Sequence, residues 1–261
     1  MEGCGVTKLF MSKLGNSKGV ILAGGKGTRL RPATNVVNKH MVPILNQPMI
    51  VYPIQTLKRL GINDILIVSG GEHIGGFAEF LGDGSDFGVQ FTYRVQKEAG
   101  GIAQALALAE DFYRSSEDKI TVILGDNVYD NEAIARSIAA HKDNPLTRDE
   151  AGLFVKPVPR EKAARFGVIS GPKILEKPPV GTLPAVADVV TGLYVYPRDV
   201  FNVVKMQSPS ARGEYEITDI NNHYLQAGKA RLFKFEGFWS DAGTPESLYE
   251  VTKWAFDAIP K

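Results

Sequence analysis

The chain has 261 residues, enough for one large domain or two small ones and for a sizeable core. With 30 basic against 29 acidic residues, its net charge of +1 gives no long-range pull toward nucleic acid or an anionic membrane, so an anionic substrate must be held by local charges. Hydrophobic residues at 44% and charged residues at 23% are ordinary for a soluble globular protein. The single cysteine, Cys4, cannot form an internal disulfide, and no Cys/His cluster has zinc spacing, which fits a reducing, cytoplasmic setting. No apolar run reaches the ~18 residues of a membrane helix. Residues 1–18 read as a flexible extension without the apolar stretch of a signal peptide.

Val20 to Ala23 is a short apolar run ending in glycines, a buried strand followed by a tight loop. Residues 48–60 carry Ile50, Ile54, Leu57 and Leu60 at helical spacing, with Gly61 as a stop. Ile65 to Val68 is the next buried strand. A short helix follows around 73–81 and ends in the turn Gly82-Asp83-Gly84-Ser85. Val89 to Val95 reads as a strand, Ile102 to Phe112 as a helix, and Ile120 to Leu124 as a buried strand ending at Gly125-Asp126. Strands that are continuously apolar belong to a sheet covered on both faces. This is the doubly wound α/β class, whose ligands bind beyond the carboxyl ends of the strands. Further on, strands are predicted near 151–157, 167–170, 173–176, 189–196 and 230–235, and helices near 197–206, 216–227 and 244–257. Residues 19–261 read as one domain with a cleft and a soft boundary near 150.

Gly24, Gly25 and Gly27 follow the first strand directly, where glycine lets backbone N–H groups approach phosphate oxygens. Arg29 comes two residues later and has the fork geometry for phosphate. The loop lacks the Gly-Lys-Ser/Thr ending of a Walker loop, and Leu30 stands where a dinucleotide fingerprint has its third glycine. By itself the loop also reads as a tight turn. Lys39 alone also reads as a solvated surface charge.

Taken together, Gly25-Lys26-Gly27-Thr28-Arg29, nine residues and then Lys39 resemble the signature of the sugar-1-phosphate nucleotidylyltransferases. The likeness runs from about Gly19 to about Trp254, and glucose-1-phosphate thymidylyltransferase is the nearest subfamily. The resemblance implies a Rossmann-like, doubly wound mixed sheet of the nucleotidyltransferase (glycosyltransferase-A-like) fold. Residues 19–150 would form the nucleotide-binding part and 151–261 the smaller sugar-binding part. It implies that Arg29 and Lys39 act catalytically on the triphosphate. Leu22, Ala23, Gly24, Gly25, Gly27, Thr28 and Gly125 would line the nucleotide site.

Gln96 and Gly101-Ile102-Ala103-Gln104-Ala105 resemble the base-reading stretch, and a glutamine amide has both donor and acceptor for a pyrimidine edge. Gln104, at a helix start, reads equally as a capping or surface residue. Asp126 and Asp241 resemble the two metal-binding positions, and Mg²⁺ prefers one or two carboxylates plus phosphate oxygens. Taken singly, each is also an ordinary turn or N-cap residue. Glu176 and Lys177, with Gly167 and Thr191, resemble the sugar-phosphate site. Lys97, Ala99, Phe166, Asp188 and Ala242 depart from the subfamily, which more often has proline at the first two, Tyr, an aromatic residue and Thr. Ala211 to Asp219 also matches the family and reads as a loop entering a helix, without a chemical role.

The reaction implied joins a nucleoside triphosphate (dTTP or UTP) to a sugar 1-phosphate, releasing pyrophosphate, with Mg²⁺ as cofactor. No nucleic-acid or membrane partner is implied, and a homo-oligomer is left open. Transfer of another base, a non-catalytic regulatory subunit and a dinucleotide-dependent oxidoreductase are the alternatives. Retention of Arg29, Lys39 and both aspartates argues against the second, and the missing third glycine against the third.

Overall fold

A strand that is apolar on both sides needs cover on both faces, and the first strands of this chain have it. The computed structural model describes residues 17–98, 100–113, 119–210 and 212–259. The first half contains β1 (Ser17–Leu22), the short pair β2 (Pro43–Ile44) and β3 (Gln47–Pro48), α1 (Val51–Arg59), β4 (Asp64–Gly70), α2 (Ile74–Leu81), β5 (Gln90–Gln96), α3 (Ile102–Ala107), β6 (Lys119–Leu124), β7 (Val128–Tyr129) and α4 (Asn131–Ala139). The second half contains β8 (Ala151–Pro159), α5 (Arg160–Ala163), β9 (Gly167–Ser170), β10 (Lys173–Glu176), β11 (Val186–Tyr196), α6 (Val200–Lys205), α7 (Ile217–Gln226), β12 (Ala230–Lys234), β13 (Trp239–Ser240) and α8 (Pro245–Asp257).

One nine-stranded sheet runs through both halves in the order β10-β9-β11-β6-β1-β4-β5, with β8 on β11 and β12 on β8. β1, β4, β5 and β6 are mutually parallel, whereas β11 runs antiparallel to β6, β8 and β9. The mixed, doubly covered sheet is the fold class expected from the sequence. Alternate residues of each strand enter opposite cores. Ile21, Ile65, Ile67 and Ile123 pack with Ile54 and Leu57 of α1, Phe77 of α2 and Ile134 of α4. Val20, Leu22, Leu66, Val68 and Val122 pack with Leu106 of α3, Phe201 of α6 and Ile220 of α7. A third cluster seats Val251 and Ala255 of α8 against Val42, Ile44, Met49 and Val128.

Three expectations change. Ser17 and Lys18 belong to β1, so the extension ends no later than residue 16; Cys4 lies outside the described residues, as does Ala99. The helix expected over 102–112 stops at Ala107 and gives way to a 3-10 turn at Glu110–Phe112. Helix α4 was not expected. Its cap is Asp130, whose side chain accepts from Glu132 N and Ala133 N, and it buries Ala133, Ile134 and Ile138. Among the described residues no helix is long and apolar enough to cross a membrane.

Lys119, 5% exposed, opens β6 and donates through Nζ to the carbonyls of Thr147 (2.8 Å), Arg148 (2.8 Å) and Glu150 (2.7 Å). The ammonium thereby holds the loop before β8 against the sheet. Lys119→Met keeps the apolar stem but strips three carbonyls of their donor. Urea unfolding should show about 3 kcal/mol less stability, with the slope against denaturant unchanged.

Candidate active site

Because β1, β5 and β6 are parallel, their carboxyl ends share one edge. Gly24 continues from β1, Gln96 ends β5 and Asp126 follows β6, so all three meet there. A Cβ on Gly24 would lie 2.5 Å from Gln96 Oε1, so only glycine lets that amide reach the loop. Gly27 has φ of 63°, and a Cβ on it would lie 2.8 Å from Lys39 Cβ. It caps the single turn Thr28–Leu30, which buries Leu30 and leaves Arg29 exposed. The glycine loop is thus folded onto Lys39.

Lys39 Nζ lies 2.6 Å from Asp126 Oδ2. Burial opposes ionisation of Asp126, but the Lys39 charge and hydrogen bonds from Lys39 and Asn127 outweigh it and hold the carboxyl below its ordinary pKa. Asn127 Nδ2 donates to Asp126 Oδ1 at 3.0 Å. Asn127 Oδ1 accepts from Trp239 Nε1 (2.7 Å), Gly192 N (3.1 Å) and Tyr129 OH (3.2 Å). Two of those donors are N–H groups that cannot reverse, so the amide is fixed with its NH2 toward Asp126. Trp239 stands two residues before Asp241, so this one amide ties the two aspartate segments together.

Asp241 is 8% exposed; its Oδ2 accepts from Arg165 Nη2 at 3.0 Å, and its Oδ1 is buried with no hydrogen-bond partner among the described residues. Thr244, not Asp241, caps α8, accepting from Ser247 N in a capping box. Ala242 follows Asp241 with φ of 36°, a left-handed conformation that costs a non-glycine residue about 1 kcal/mol. A Cβ on Gly243 would lie 2.9 Å from Arg29 Nη2 and 3.4 Å from Asp241 Oδ2, so guanidinium and carboxylate flank one glycine.

β11 pairs with β9 through Val189–Val190 and with β6 from Leu193 onward. Thr191 and Gly192 lie in the gap between those two partners, where the sheet opens into the cleft. Antiparallel pairing of β9 and β10 sets Gly167 opposite Glu176. Glu176 accepts from Thr218 Oγ1 (2.5 Å) and pairs with Arg212 Nη2 (3.2 Å) and Lys177 Nζ (3.3 Å). Burial resists its ionisation, but Thr218 and the two cations prevail and lower its pKa. Lys177 has φ of 44°, a second strained residue beside a charged group.

His40 is buried, with its edge lining the cleft beside Lys39. Its backbone N–H and its Nδ1 both meet Asn38 Oδ1, at 2.9 and 2.8 Å. The backbone N–H identifies that atom as an acceptor, so Nδ1 carries the imidazole hydrogen and Nε2 is bare. Burial, with the Lys39 charge, pushes the imidazole pKa down to about 3.

Two adjoining cavities, of about 280 and 310 Å³, share Ile102, Leu124, Asp126, Glu176, Lys177 and Ile217, so they form one cleft. Leu22, Gly24, Gly25, Lys39, Gln96 and Gly101 line the first only; Arg29, Gly167, Thr191 and Asp241 line the second only. Four residues expected at the nucleotide line neither. Ala23 is fully buried and Thr28 is exposed. Gly27 packs on Lys39, and the His40 ring fills the space a Gly125 side chain would need. The Thr191 hydroxyl is donated to Phe154 O at 2.9 Å, within the sheet. Asp188 pairs with Lys234 at 2.9 Å and lines neither cavity, so that departure from the subfamily lies outside the cleft.

Sequence reasoning missed Arg165, Asn127 and Arg212. Arg212 stood in a matched segment given no chemistry. Arg165 stood beside the matched Phe166-Gly167, but nothing in the chain shows its pairing with Asp241, 76 residues away.

The nucleotidyl transferase family profile matches residues 18–257. The chain belongs to this family, and it is an enzyme of the nucleotidyltransferase class. A glucose-1-phosphate thymidylyltransferase of Neisseria meningitidis is 38% identical over 245 residues, covering 91% of this chain and 82% of the relative. The Xanthomonas campestris enzyme of the same description is 37% identical over 243 residues, covering 91% and 80%. A Bacillus anthracis structure assigned as a glucose-1-phosphate thymidylyltransferase matches with a TM-score of 0.81 and 44% identity, covering 94% of this chain and 97% of that one. A UDP-glucose pyrophosphorylase structure matches with a TM-score of 0.80 at 21% identity, a likeness of fold.

His40 makes stability depend on acid. Below pH 6.5 the unfolded chain protonates this imidazole, while the folded chain resists until about pH 3. Its contribution is therefore full above pH 6.5 and declines as pH falls through that window, by at most ~1.4 kcal/mol per pH unit. His40→Gln should flatten the fall in unfolding free energy between pH 6.5 and 4, read by urea titration at each pH. An unchanged slope would rule out the buried neutral imidazole.

Proposed function

We propose that the chain joins a thymidylyl group from dTTP to α-D-glucose 1-phosphate, giving dTDP-glucose and pyrophosphate, with Mg²⁺. The observation that carries this reading is the cleft itself. Arg29, Lys39 and the Glu176–Lys177 pair line it together with Asp126 and Asp241, with Lys39 in direct contact with Asp126. The choice of sugar and base is supported by the relatives described as glucose-1-phosphate thymidylyltransferases.

The residues present fit a divalent cation. No group of three or more His, Cys, Asp and Glu able to hold a metal occurs among the described residues. Two carboxylates completed by phosphate oxygens are what Mg²⁺ accepts. Asp241 Oδ1, buried and unpartnered, is an oxygen kept free for such an ion, and Asp126 is held ionised beside Lys39. When bound, the ion supplies positive charge to the phosphate oxygens.

In the displacement, a phosphate oxygen of the sugar 1-phosphate forms a bond to the α-phosphorus. The bond from α-phosphorus to the bridging oxygen breaks, and pyrophosphate leaves with the electron pair. Both reactants are already anions, so no general base is required. The site must align them and offset their repulsion. Lys39 shares one ammonium hydrogen with Asp126 and has two more for a phosphate oxygen. Lys177, with Nζ near Glu176, faces the sugar phosphate, and Glu176 accepts from sugar hydroxyls.

Arg29→Ala should lower kcat/KM about 10²-fold with the fold intact, as loss of a phosphate clamp does. Near wild-type turnover would sink the assignment. Pyrophosphate release measured over five nucleoside triphosphates and several sugar 1-phosphates, with Mg²⁺ and with EDTA, tests the reaction. The highest kcat/KM should fall on dTTP with glucose 1-phosphate, with turnover lost in EDTA. Asp241→Asn should weaken Mn²⁺ binding about tenfold or more, read by the paramagnetic resonance of the free ion.

A further inference from the structure

Gln96 is 8% exposed, and its side chain faces the first cavity beside Gly24. An amide has two ends of opposite polarity, and which end meets a ligand decides what the ligand must offer. Here the polarity is dictated from outside. Gly100 N, a backbone N–H that can only donate, shares its hydrogen between Glu98 O at 2.9 Å and Gln104 Oε1 at 3.0 Å. The Gln104 atom at that position is therefore the carbonyl oxygen. The same oxygen lies 2.8 Å from the Gln96 amide, so the Gln96 atom facing it must be the NH2 group. Gly101 O, a carbonyl 3.4 Å from the same nitrogen, makes the same demand independently. Both hydrogens of Gln96 Nε2 are thus taken up by acceptors of the protein itself. The exposed end is Oε1, set against Gly24, and no donor among the described residues reaches it.

We infer that Gln104 is a specificity-determining positioning residue: it locks Gln96 as a pure acceptor, so the pocket selects a base that presents a ring N–H. This rests on the reading of the cleft as a pyrimidine nucleotide site. Thymine and uracil carry a hydrogen on N3 between two carbonyls. Cytosine has a lone pair at that position, and two lone pairs facing each other repel. With the amide reversed, Gln96 would turn NH2 toward the base and the preference would invert. The dual donor–acceptor role expected of Gln96 from sequence is reduced to one.

Gly100 belongs to the same device. A Cβ on it would overlap the Gln104 side-chain amide, whereas its φ lies outside the left-handed region. Gly100→Ala therefore displaces Gln104 without straining the backbone, since the three atoms nearest the new Cβ all belong to Gln104.

The experiment measures equilibrium binding of dTTP and dCTP to the full chain by titration calorimetry, alongside KM and kcat from pyrophosphate release. Wild type, Gln104→Leu, Gln104→Glu and Gly100→Ala are compared, each checked for a wild-type melting transition. A carboxylate at 104 still accepts from Gly100 N and Gln96 Nε2, so Gln104→Glu keeps the wild-type preference for dTTP over dCTP. Gln104→Leu and Gly100→Ala lose about tenfold or more of that preference, through KM rather than kcat. A wild-type ratio in Gln104→Leu, or a Gln104→Glu ratio as low as that of Gln104→Leu, overturns the inference. Absence of turnover with every triphosphate overturns the proposed function instead, and the binding ratio still decides the role of Gln104.

Discussion

Lys39 and Asp126 are 87 residues apart in the chain, and they meet at 2.6 Å because β1 and β6 lie side by side and end at the same edge. The rest of the cleft is arranged around that ion pair. The glycine loop folds onto the Lys39 side chain, with Gly27 giving up its Cβ to do so. The Asn127 amide approaches Asp126 from behind and carries the position of that carboxylate to Trp239 and hence to Asp241. A lysine and an aspartate buried without each other would each cost several kcal/mol, so the pair and its surroundings stand or fall together.

Both aspartates are held by cations. Asp126 pairs with Lys39, and Asp241 with Arg165. Arg29, Lys39 and Lys177 place positive charge in the same cleft. Two left-handed residues, Lys177 and Ala242, directly follow carboxylates of the cleft. A backbone held that way has few alternatives once its neighbours pack, which keeps the carboxylates oriented.

The polar groups around the cleft work by one-way donors. Backbone and indole N–H groups cannot accept, so they fix which end of an adjoining amide or imidazole is which. Gly100 N does this for Gln104 and, through it, Gln96; Trp239 Nε1 and Gly192 N do it for Asn127; His40 N does it for Asn38 and, through it, the imidazole. Selectivity between ligands of similar shape then depends on chains of hydrogen bonds that begin in the backbone.

The sequence by itself determined the covered sheet, because runs such as Ile65 to Val68 and Ile120 to Leu124 have no polar side to present to water. It also singled out the glycine loop, since Gly24, Gly25 and Gly27 with Arg29 and Lys39 form a local pattern with a local cause. α4 was overlooked, although the Asp130 cap and the helical spacing of Ile134 and Ile138 are both present in the sequence. The sequence did not distinguish Gly24, which faces the pocket, from Gly125, which makes room for His40. Only the tertiary structure decided which groups share a hydrogen bond across long separations. It placed Arg165 on Asp241, Asn127 between two distant loops, and Gln104 as the group that turns Gln96. The reason is physical: a residue's type sets what it can donate or accept, whereas its polarity toward a ligand is set by neighbours that the chain order does not reveal.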